Sequence, residues 1–235
     1  MRKPIETSLR ARLIGEGAVI VLSILLAFWI DAWSDSRQAK AEELEILASV
    51  DYEADRNAAS LDSILAWHTR DLERIDLFFR SSPEALLALP TDSVQPWLYS
   101  IVVPLTFDAE LAAATVLLDS PRLASERGRE VRRRVADWVR SLEDAAEEKA
   151  AVRSLAYEVS GLMARASAPA AVAGLDLVFN VAARRGPAIL SQLRADDEFV
   201  AAVMNKAQLQ TIYLDELTSA AEILDSLTIT LRGVR

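Results

Sequence analysis

The chain has 235 residues, a net charge of −9, no cysteine and only seven glycines. The lack of cysteine excludes disulfides, cysteine metal sites and thiolate catalysis. So acidic a chain is a poor match for nucleic acid or for anionic lipid head groups along its length. Scarce glycine and abundant Ala, Leu, Glu and Arg favour an all-α protein with one domain-sized core.

Residues 13–34 are predicted to form a membrane anchor. The uninterrupted apolar run covers only residues 17–30, but 13–33 gives about 31 Å of helix at ~1.5 Å per residue. Trp29 and Trp33 stand where an aromatic belt would lie. A buried core helix and a cleaved signal peptide are the alternatives, and the bulky residues after the run argue against cleavage.

The distribution of basic residues predicts the orientation of this anchor. Four basic residues precede it and two follow it closely: Arg2, Lys3, Arg10 and Arg12 before, Arg37 and Lys40 after. By the positive-inside rule, residues 1–12 are a cytoplasmic tail, with Arg10 and Arg12 as interfacial anchors. Residues 35–235 then form an extramembrane helical domain, which is periplasmic if the membrane is a bacterial inner membrane.

Three long stretches repeat core-forming positions in alternating steps of three and four, which predicts packed helices of a bundle or coiled coil. Neither Gly nor Pro occurs between Asp31 and Ser82, so the anchor is expected to continue into the first of these helices, ending before Pro83. The predicted core positions are Leu44, Leu47, Asp51, Ala54, Ala58, Leu61, Leu65, His68, Leu72, Ile75 and Phe79 in the first helix; Val131, Val135, Trp138, Leu142, Ala145, Lys149, Val152, Ala156, Val159 and Met163 in the second; and Val200, Val203, Ala207, Gln210, Leu214, Leu217, Ala221, Leu224, Thr228 and Leu231 in the third.

Glycine, proline and capping residues mark the limits of the remaining elements. Gly128 is expected to precede the second long helix and Pro169 to follow it, while Asp196 and Asp197 suit the start of the third and Gly233 its end. Short helices are predicted near 92–101 and 107–118, the latter capped by Thr106 or Asp108, and near 170–184 and 187–194.

A polar and small stripe runs down the apolar segment. At ~100° per residue, Glu16, Ser23, Ala27 and Asp31 share one arc of the helix, with Ser34 after them. One interpretation is a surface for association with another membrane helix, or a hydrated path lined by Glu16. The other is that Glu16 lies at the cytoplasmic interface and that Ser23 bonds back to its own helix.

Three charged features have both a structural and a functional interpretation. His68, the only histidine, is expected to be a packed or half-exposed structural residue rather than a metal ligand or a pH sensor. Asp51 and Asp55 lie four apart and could bridge a divalent cation, although a solvated face or salt-bridge partners of Arg56 is the preferred interpretation. The arginines at 127, 129 and 132–134 are expected to form a solvated face with i,i+4 pairs rather than a dock for an acidic partner.

No nucleotide-binding loop, zinc-binding H-E-x-x-H or serine nucleophile elbow occurs in the chain, so neither a cofactor nor an enzymatic activity is predicted. Three functions remain. The first is a membrane-anchored scaffold or interaction protein that self-associates or binds a membrane partner. The second is a receptor-like sensor with a ligand among the short helices, and the third is an accessory subunit of a channel or transporter.

Several segments together resemble a large set of uncharacterised bacterial proteins. They are Gly15-Glu16 with VIVLSILLAFWIDAW, a charged helix with Glu43, Leu44, Leu47, Asp51 and Asn57, the segments 107–111 and 115–123, and a terminal helix at 197–231. Ser23 replaces the usual glycine of that set, and Asp31-Ala32-Trp33 replaces its asparagine-tryptophan-asparagine ending. The resemblance implies a single-span helical membrane protein of unknown function.

Overall fold

The first helix, α1, runs without interruption from Ile5 to Arg80, a length of 76 residues. The computed structural model describes residues 5–120, 123, 125–167 and 184–233, except for the side chains of 5–15, 18 and 167. Among these residues α1 is the one helix long and apolar enough to cross a membrane, and its apolar window is entirely unburied. The prediction that the apolar segment continues into the first heptad helix is confirmed.

Two further long helices complete an all-α bundle with α1. They are α5, Glu126–Ser167, and α7, Asp197–Arg232. Arg232, at the end of α7, forms an ion pair with Asp51, in the part of α1 nearer the apolar segment. Glu198, at the start of α7, forms an ion pair with Arg165, at the end of α5. Helix α7 is therefore antiparallel to both α1 and α5, which are parallel to each other.

Short elements return the chain from the far end of α1 to the start of α5. They are α2 (Pro83–Leu87), a 3-10 turn (Thr91–Ser93), α3 (Val94–Val102) and α4 (Ala112–Asp119); α6 (Ala188–Arg194) precedes α7. These confirm the short helices predicted near 92–101 and 187–194. The helix predicted at 170–184 lies outside the described residues.

Helix α4 begins later than predicted, and neither Thr106 nor Asp108 caps it. The amide of Phe107 donates to the Tyr213 hydroxyl at 3.0 Å, and both backbone groups of Glu110 bond the Asn57 side chain at 2.8 and 2.9 Å. These contacts hold residues 103–111 in a non-helical conformation along α1 and α7. Tertiary hydrogen bonds thus override the local helical pattern.

The interior divides into two hydrophobic cores. The proximal core, nearer the apolar segment, is built from residues such as Leu47, Leu61, Trp138, Leu217 and Leu231. The distal core is built from residues such as Ile75, Phe78, Leu98, Met163 and Phe199. Each core contains residues of all three long helices, so α1, α5 and α7 pack together both near the apolar segment and far from it.

Eight of the ten predicted core positions of α5 are buried, and Leu142 and Lys149 are half-buried. In α1 and α7 every second predicted position lies one residue after the more deeply buried one, except at Leu65, which is half-buried like Ile64; several of these positions still pack against a core, namely Ala58, Leu65, Phe79, Ala207 and Ala221. The more deeply buried residues are Glu43, Val50, Asn57, Asp71 and Phe78 in α1, and Phe199, Lys206, Tyr213, Ala220 and Leu227 in α7. At Glu43, Asn57, Asp71 and Lys206 the reason is that a polar residue is buried with partners, whereas the apolar pattern selects its neighbour.

Carboxylates of α1 cap the first turns of its neighbours. Glu53 accepts from the amides of Ala113 and Ala114 at 2.7 and 3.0 Å, at the start of α4. Glu43 accepts from the Ser125 amide at 3.0 Å and from its hydroxyl, at the start of α5. Negative groups are favourable there because the first amides of a helix lack intrahelical acceptors and the helix dipole is positive at that end.

Arginines bind carbonyl groups near the other ends of the helices, which have no intrahelical donors. Four such bonds join separate elements: Arg127 to Leu231, Arg132 to Leu117, Arg185 to Ala166 and Arg194 to Phe79. Helix ends in this body are therefore capped across tertiary contacts, in addition to the local caps that Ser82 and Asp196 provide.

Candidate functional site

A buried polar layer separates the two cores. It comprises His68 and Asp71 of α1, Ser100 of α3, and Lys206 and Gln210 of α7, all buried. On the side nearer the apolar segment lie the proximal-core residues Leu61 and Tyr213, and on the far side lie the distal-core residues Ile75 and Val203. It is the place in the described body where charged side chains from different helices meet without contact with solvent.

Lys206 and Asp71 form the charged pair of this layer, with exposed fractions of 0 and 1 %. The Lys206 Nζ donates to Gln210 Oε1 at 2.8 Å, to the Ser100 carbonyl at 3.3 Å and to Asp71 Oδ2 at 3.4 Å. The Gln210 amide donates to the same Asp71 oxygen at 2.8 Å. One carboxylate oxygen, one ammonium and one amide thus bond α1 to α7.

Burial penalises both charges of the pair. It lowers the pKa of Lys206 and raises the pKa of Asp71, and in each case the attraction between the two opposes the effect of burial. A buried pair of this kind adds little net stability, because desolvation offsets the attraction, but losing one partner leaves the other charge buried alone. The pair therefore selects one register of α7 on α1.

His68 lies beside this pair between two aromatic rings. Its ring makes edge contacts with Trp67 and Tyr213, with centroids 5.1 and 5.5 Å away. Neither ring nitrogen has a hydrogen-bond partner among the described residues; the Leu105 carbonyl favours a protonated ring without reaching bonding geometry. Burial, with the positive charge of Lys206, lowers the pKa of His68 to about 4. The histidine is buried and packed, which is one of the two structural environments that the sequence predicts.

Lys206 was missed by sequence reasoning, although a usable signal existed. It lies three residues after Val203 and four before Gln210, which are both predicted core positions, so the three-four alternation passes through it. A lysine at a core position needs a buried partner, and an acid at a corresponding position of another helix is the natural candidate. Asp71 fills that role, whereas the apolar pattern predicts the neighbouring Leu72 as the core position.

The apolar segment carries the predicted association stripe on its exposed surface. Glu16, Ser23, Ala27 and Asp31 are all exposed. The Ser23 hydroxyl donates to the Val19 carbonyl at 2.8 Å, a bond within the same helix.

The predicted interfacial residues flank this stripe. Trp29 and Trp33 are exposed, and the Arg37 guanidinium lies 4.8 Å from the Trp33 ring centroid. The side chains of Arg10 and Arg12, the predicted interfacial anchors, lie outside the described residues.

The acidic group of the first helix has a different partner from the predicted one. Asp51 and Asp55 form ion pairs with Arg232 of α7, whereas Arg56 pairs with Glu110 at 2.6 Å. Within the described residues, no group of three or more His, Asp or Glu residues is placed to hold a metal ion.

The arginine cluster of α5 serves two roles. Arg133 and Arg134 pair with Glu130 on an exposed face, as predicted. Arg127 and Arg132 instead bind carbonyls of α7 and α4, which the sequence did not indicate. The cluster is therefore partly a solvated face and partly a set of tertiary caps.

The surface depressions among the described residues include a cleft and a groove outside the polar layer. A cleft of about 170 Å³ is lined by Phe107, Asp108, Leu142, Lys149 and Tyr213. An open groove of about 500 Å³ lies between α1 and α4, lined by Glu45, Ala48, Ser49, Tyr52, Ala112 and Ala113 among others.

Comparison with known proteins finds no counterpart. No family model, no curated protein and no solved structure matches this chain. Function is therefore argued from the residues alone.

Proposed function

We propose that the chain is a non-enzymatic, membrane-anchored helical interaction protein, which self-associates or binds a partner in the membrane. The observation that supports this most directly is the unbroken helix α1, Ile5–Arg80. A single helix places the exposed apolar segment and the bundle on one axis, so contacts made in the membrane fix the position of the body. Contacts with the bundle begin at Glu43, ten residues or about 15 Å beyond Trp33.

The proposed location is a bacterial inner membrane, with the N-terminus in the cytoplasm and the body in the periplasm. The excess of basic residues before the apolar segment supports this orientation. The exposed tryptophans near the end of the apolar segment suit the outer interface.

The exposed face of α1 is the proposed contact surface. At ~100° per residue, Glu45, Ala48 and Tyr52 fall within about 40° of Glu16, so the groove beside α4 continues the stripe of the apolar segment. This face points away from the proximal core, which α1 meets through Leu47 and Val50. A partner helix could therefore follow α1 from the membrane to the groove without displacing the bundle.

Light scattering of the detergent-solubilised chain tests the interaction. We expect an oligomer or a co-purified membrane protein, and Glu16→Gln should weaken the assembly if Glu16 bonds across the contact. Glu147→Gln, which changes an exposed carboxylate on α5, is the matched control and should leave the assembly unchanged. A clean monomer of the unaltered chain would contradict the proposal.

The orientation has its own test, which the lack of cysteine makes clean. Ser219 is exposed on α7, so Ser219→Cys introduces a single accessible thiol. An impermeant maleimide should label it in intact spheroplasts. Labelling only after lysis would place the body in the cytoplasm and overturn the orientation.

A sensor is the second candidate, and the cleft beside Tyr213 favours it. This cleft adjoins the polar layer, and Lys149 donates there to the Phe107 carbonyl at 3.0 Å. A ligand that displaced this bond would act on the contacts between residues 103–111 and α7. A thermal-shift screen of small metabolites should then give a stabilising ligand, and the absence of any would count against the sensor.

A further inference from the structure

His68 is the only group in the chain with an ordinary pKa near 6.5, because the sequence contains one histidine. It is fully buried and both of its ring nitrogens lack hydrogen-bond partners among the described residues. It also lies in the polar layer, where neither hydrophobic core holds the helices together. A proton that arrives at this ring therefore acts where polar contacts, rather than either hydrophobic core, join the helices.

The acids of this region are already paired with cations. From α7 His68 faces Lys206, which is positive, and Tyr213, which is neutral. From α1 the acid of the same layer is Asp71, whose Oδ2 accepts from Lys206 and Gln210 and whose Oδ1 is buried without a hydrogen-bond partner among the described residues. Arg74 binds the Ser100 hydroxyl on α3, and the loop 103–111 offers only the Leu105 carbonyl. Beyond Tyr213, Asp108 is paired with Lys149.

We propose that the polar layer is an acid-sensitive joint, in which protonation of His68 releases the middle of α7 and residues 103–111 from α1. Apart from Phe107 and Tyr213, which border the polar layer, the residues of the proximal and distal cores stay packed on either side. The local contacts that open are the Phe107–Tyr213 hydrogen bond and the bonds from Lys206 and Gln210 to Asp71. The joint is a regulatory property of the body and does not depend on which partner the membrane segment binds.

The sign of the effect follows from the lowered pKa of His68, about 4 against an ordinary 6.5. The closed form takes up the proton less readily than the open form, so closure is fully favoured above pH 6.5 and weakens between pH 6.5 and 4. From pH 7 to pH 5 the open form should gain roughly 20-fold. Asp71 acts in the opposite direction, because its raised pKa makes the closed form the better proton acceptor at that carboxyl.

Hydrogen exchange of the full chain in detergent at pH 7 and pH 5, corrected for the intrinsic rates, tests the joint. Protection should fall several-fold, and at most roughly 20-fold because Asp71 opposes His68, over 206–213 and at Phe107. It should fall by less than about twofold in the core segments 131–138, 189–193 and 220–227. Unchanged protection at the joint, or an equal loss in all segments, would overturn the proposal.

The variant His68→Leu removes the titrating group and keeps an apolar side chain of similar size. It should abolish the pH-dependent loss at the joint, and persistence of that loss would overturn the assignment to His68. If the variant does not fold, the unaltered chain still decides. Its single imidazole gives one set of ring signals by NMR, and in the closed chain these should titrate well below pH 6.5, near the lowered pKa of His68 of about 4. A titration midpoint at the ordinary 6.5 would overturn the proposal.

Discussion

Residues 16–42 and residues 43–80 of α1 belong to one helix but differ in which side chains are exposed and which are buried. In the first segment large apolar side chains such as Leu22, Phe28 and Trp29 are exposed. In the second segment Glu43, Glu53, Asn57 and Asp71 are buried. Exposed apolar residues are stable in lipid, and buried polar residues are stable where partners satisfy them. The comparison teaches that burial along α1 is set by what surrounds each turn rather than by side-chain polarity.

The largest expected effect comes from breaking the buried pair. Lys206→Ala should lower the free energy of unfolding of the body by about 3–5 kcal/mol, because Asp71 is left buried without its counter-charge. Urea denaturation of the full chain in a mild detergent measures this. Arg56→Ala, which breaks the exposed pair with Glu110, should cost less than about 1 kcal/mol. Equal costs for the two variants would contradict the role given to the polar layer.

The second prediction concerns the buried carboxylate of Glu43, which caps α5. A Cβ at Gly128 would approach Glu43 Oε1 and lie 3.2 Å from the Leu123 Cβ, so Gly128→Ala must displace the cap of α5. We expect a loss of about 1–3 kcal/mol in the same measurement. Gly161, also in α5, has nothing within 4 Å of its added Cβ. Gly161→Ala should therefore raise the free energy of unfolding by roughly 0.5–1 kcal/mol. Destabilisation by both substitutions would contradict the steric explanation.

The cap of α4 should have a smaller effect. Glu53→Ala removes the acceptor of the Ala113 and Ala114 amides, which should cost about 1–2 kcal/mol. Glu45, two turns away on the exposed face of α1, provides the matched control, and Glu45→Ala should change stability by less than about 0.5 kcal/mol. Thermal unfolding in detergent ranks the two. Similar melting temperatures would show that Glu53 does not serve as a cap.

The smallest expected effect is that of Leu44→Ala, which tests the observed core positions against the predicted ones when it is compared with Leu47→Ala. Leu44 is 64 % exposed and Leu47 is 6 % exposed. Leu44→Ala should therefore change the free energy of unfolding by less than about 0.5 kcal/mol, while Leu47→Ala should cost about 2–5 kcal/mol. A large loss at Leu44 would mean that another surface covers it, which would point to the proposed contact face of α1.

The sequence was sufficient for the all-α class, the three long helices, the continuity of α1 and the predicted core positions of α5 other than Leu142 and Lys149, which are half-buried. Regular apolar spacing predicts the long helices, and the absence of Gly and Pro over 32–81 predicts the continuity of α1. It was insufficient wherever a polar group is satisfied by a residue far along the chain. Asn57 with Glu110, Asp71 with Lys206, and Tyr213 with Phe107 are separated by 53 to 135 residues. No local pattern predicts such pairs.

The candidate site shows the same limit. His68 was identified from its residue type and was predicted to be packed, but its neighbour Lys206 was not singled out. Whether the stripe Glu16, Ser23, Ala27 and Asp31 binds another helix stays a prediction, because its side chains face the surroundings of α1 rather than the bundle.

Membrane fractionation of the full chain tests the central claim most directly, since location and proposed role both depend on the apolar segment lying in lipid. After an alkaline carbonate wash the protein should remain with the membranes and leave them only in detergent, whereas a variant lacking residues 1–33 should be soluble. Recovery of the unaltered chain in the soluble fraction without detergent would contradict the account.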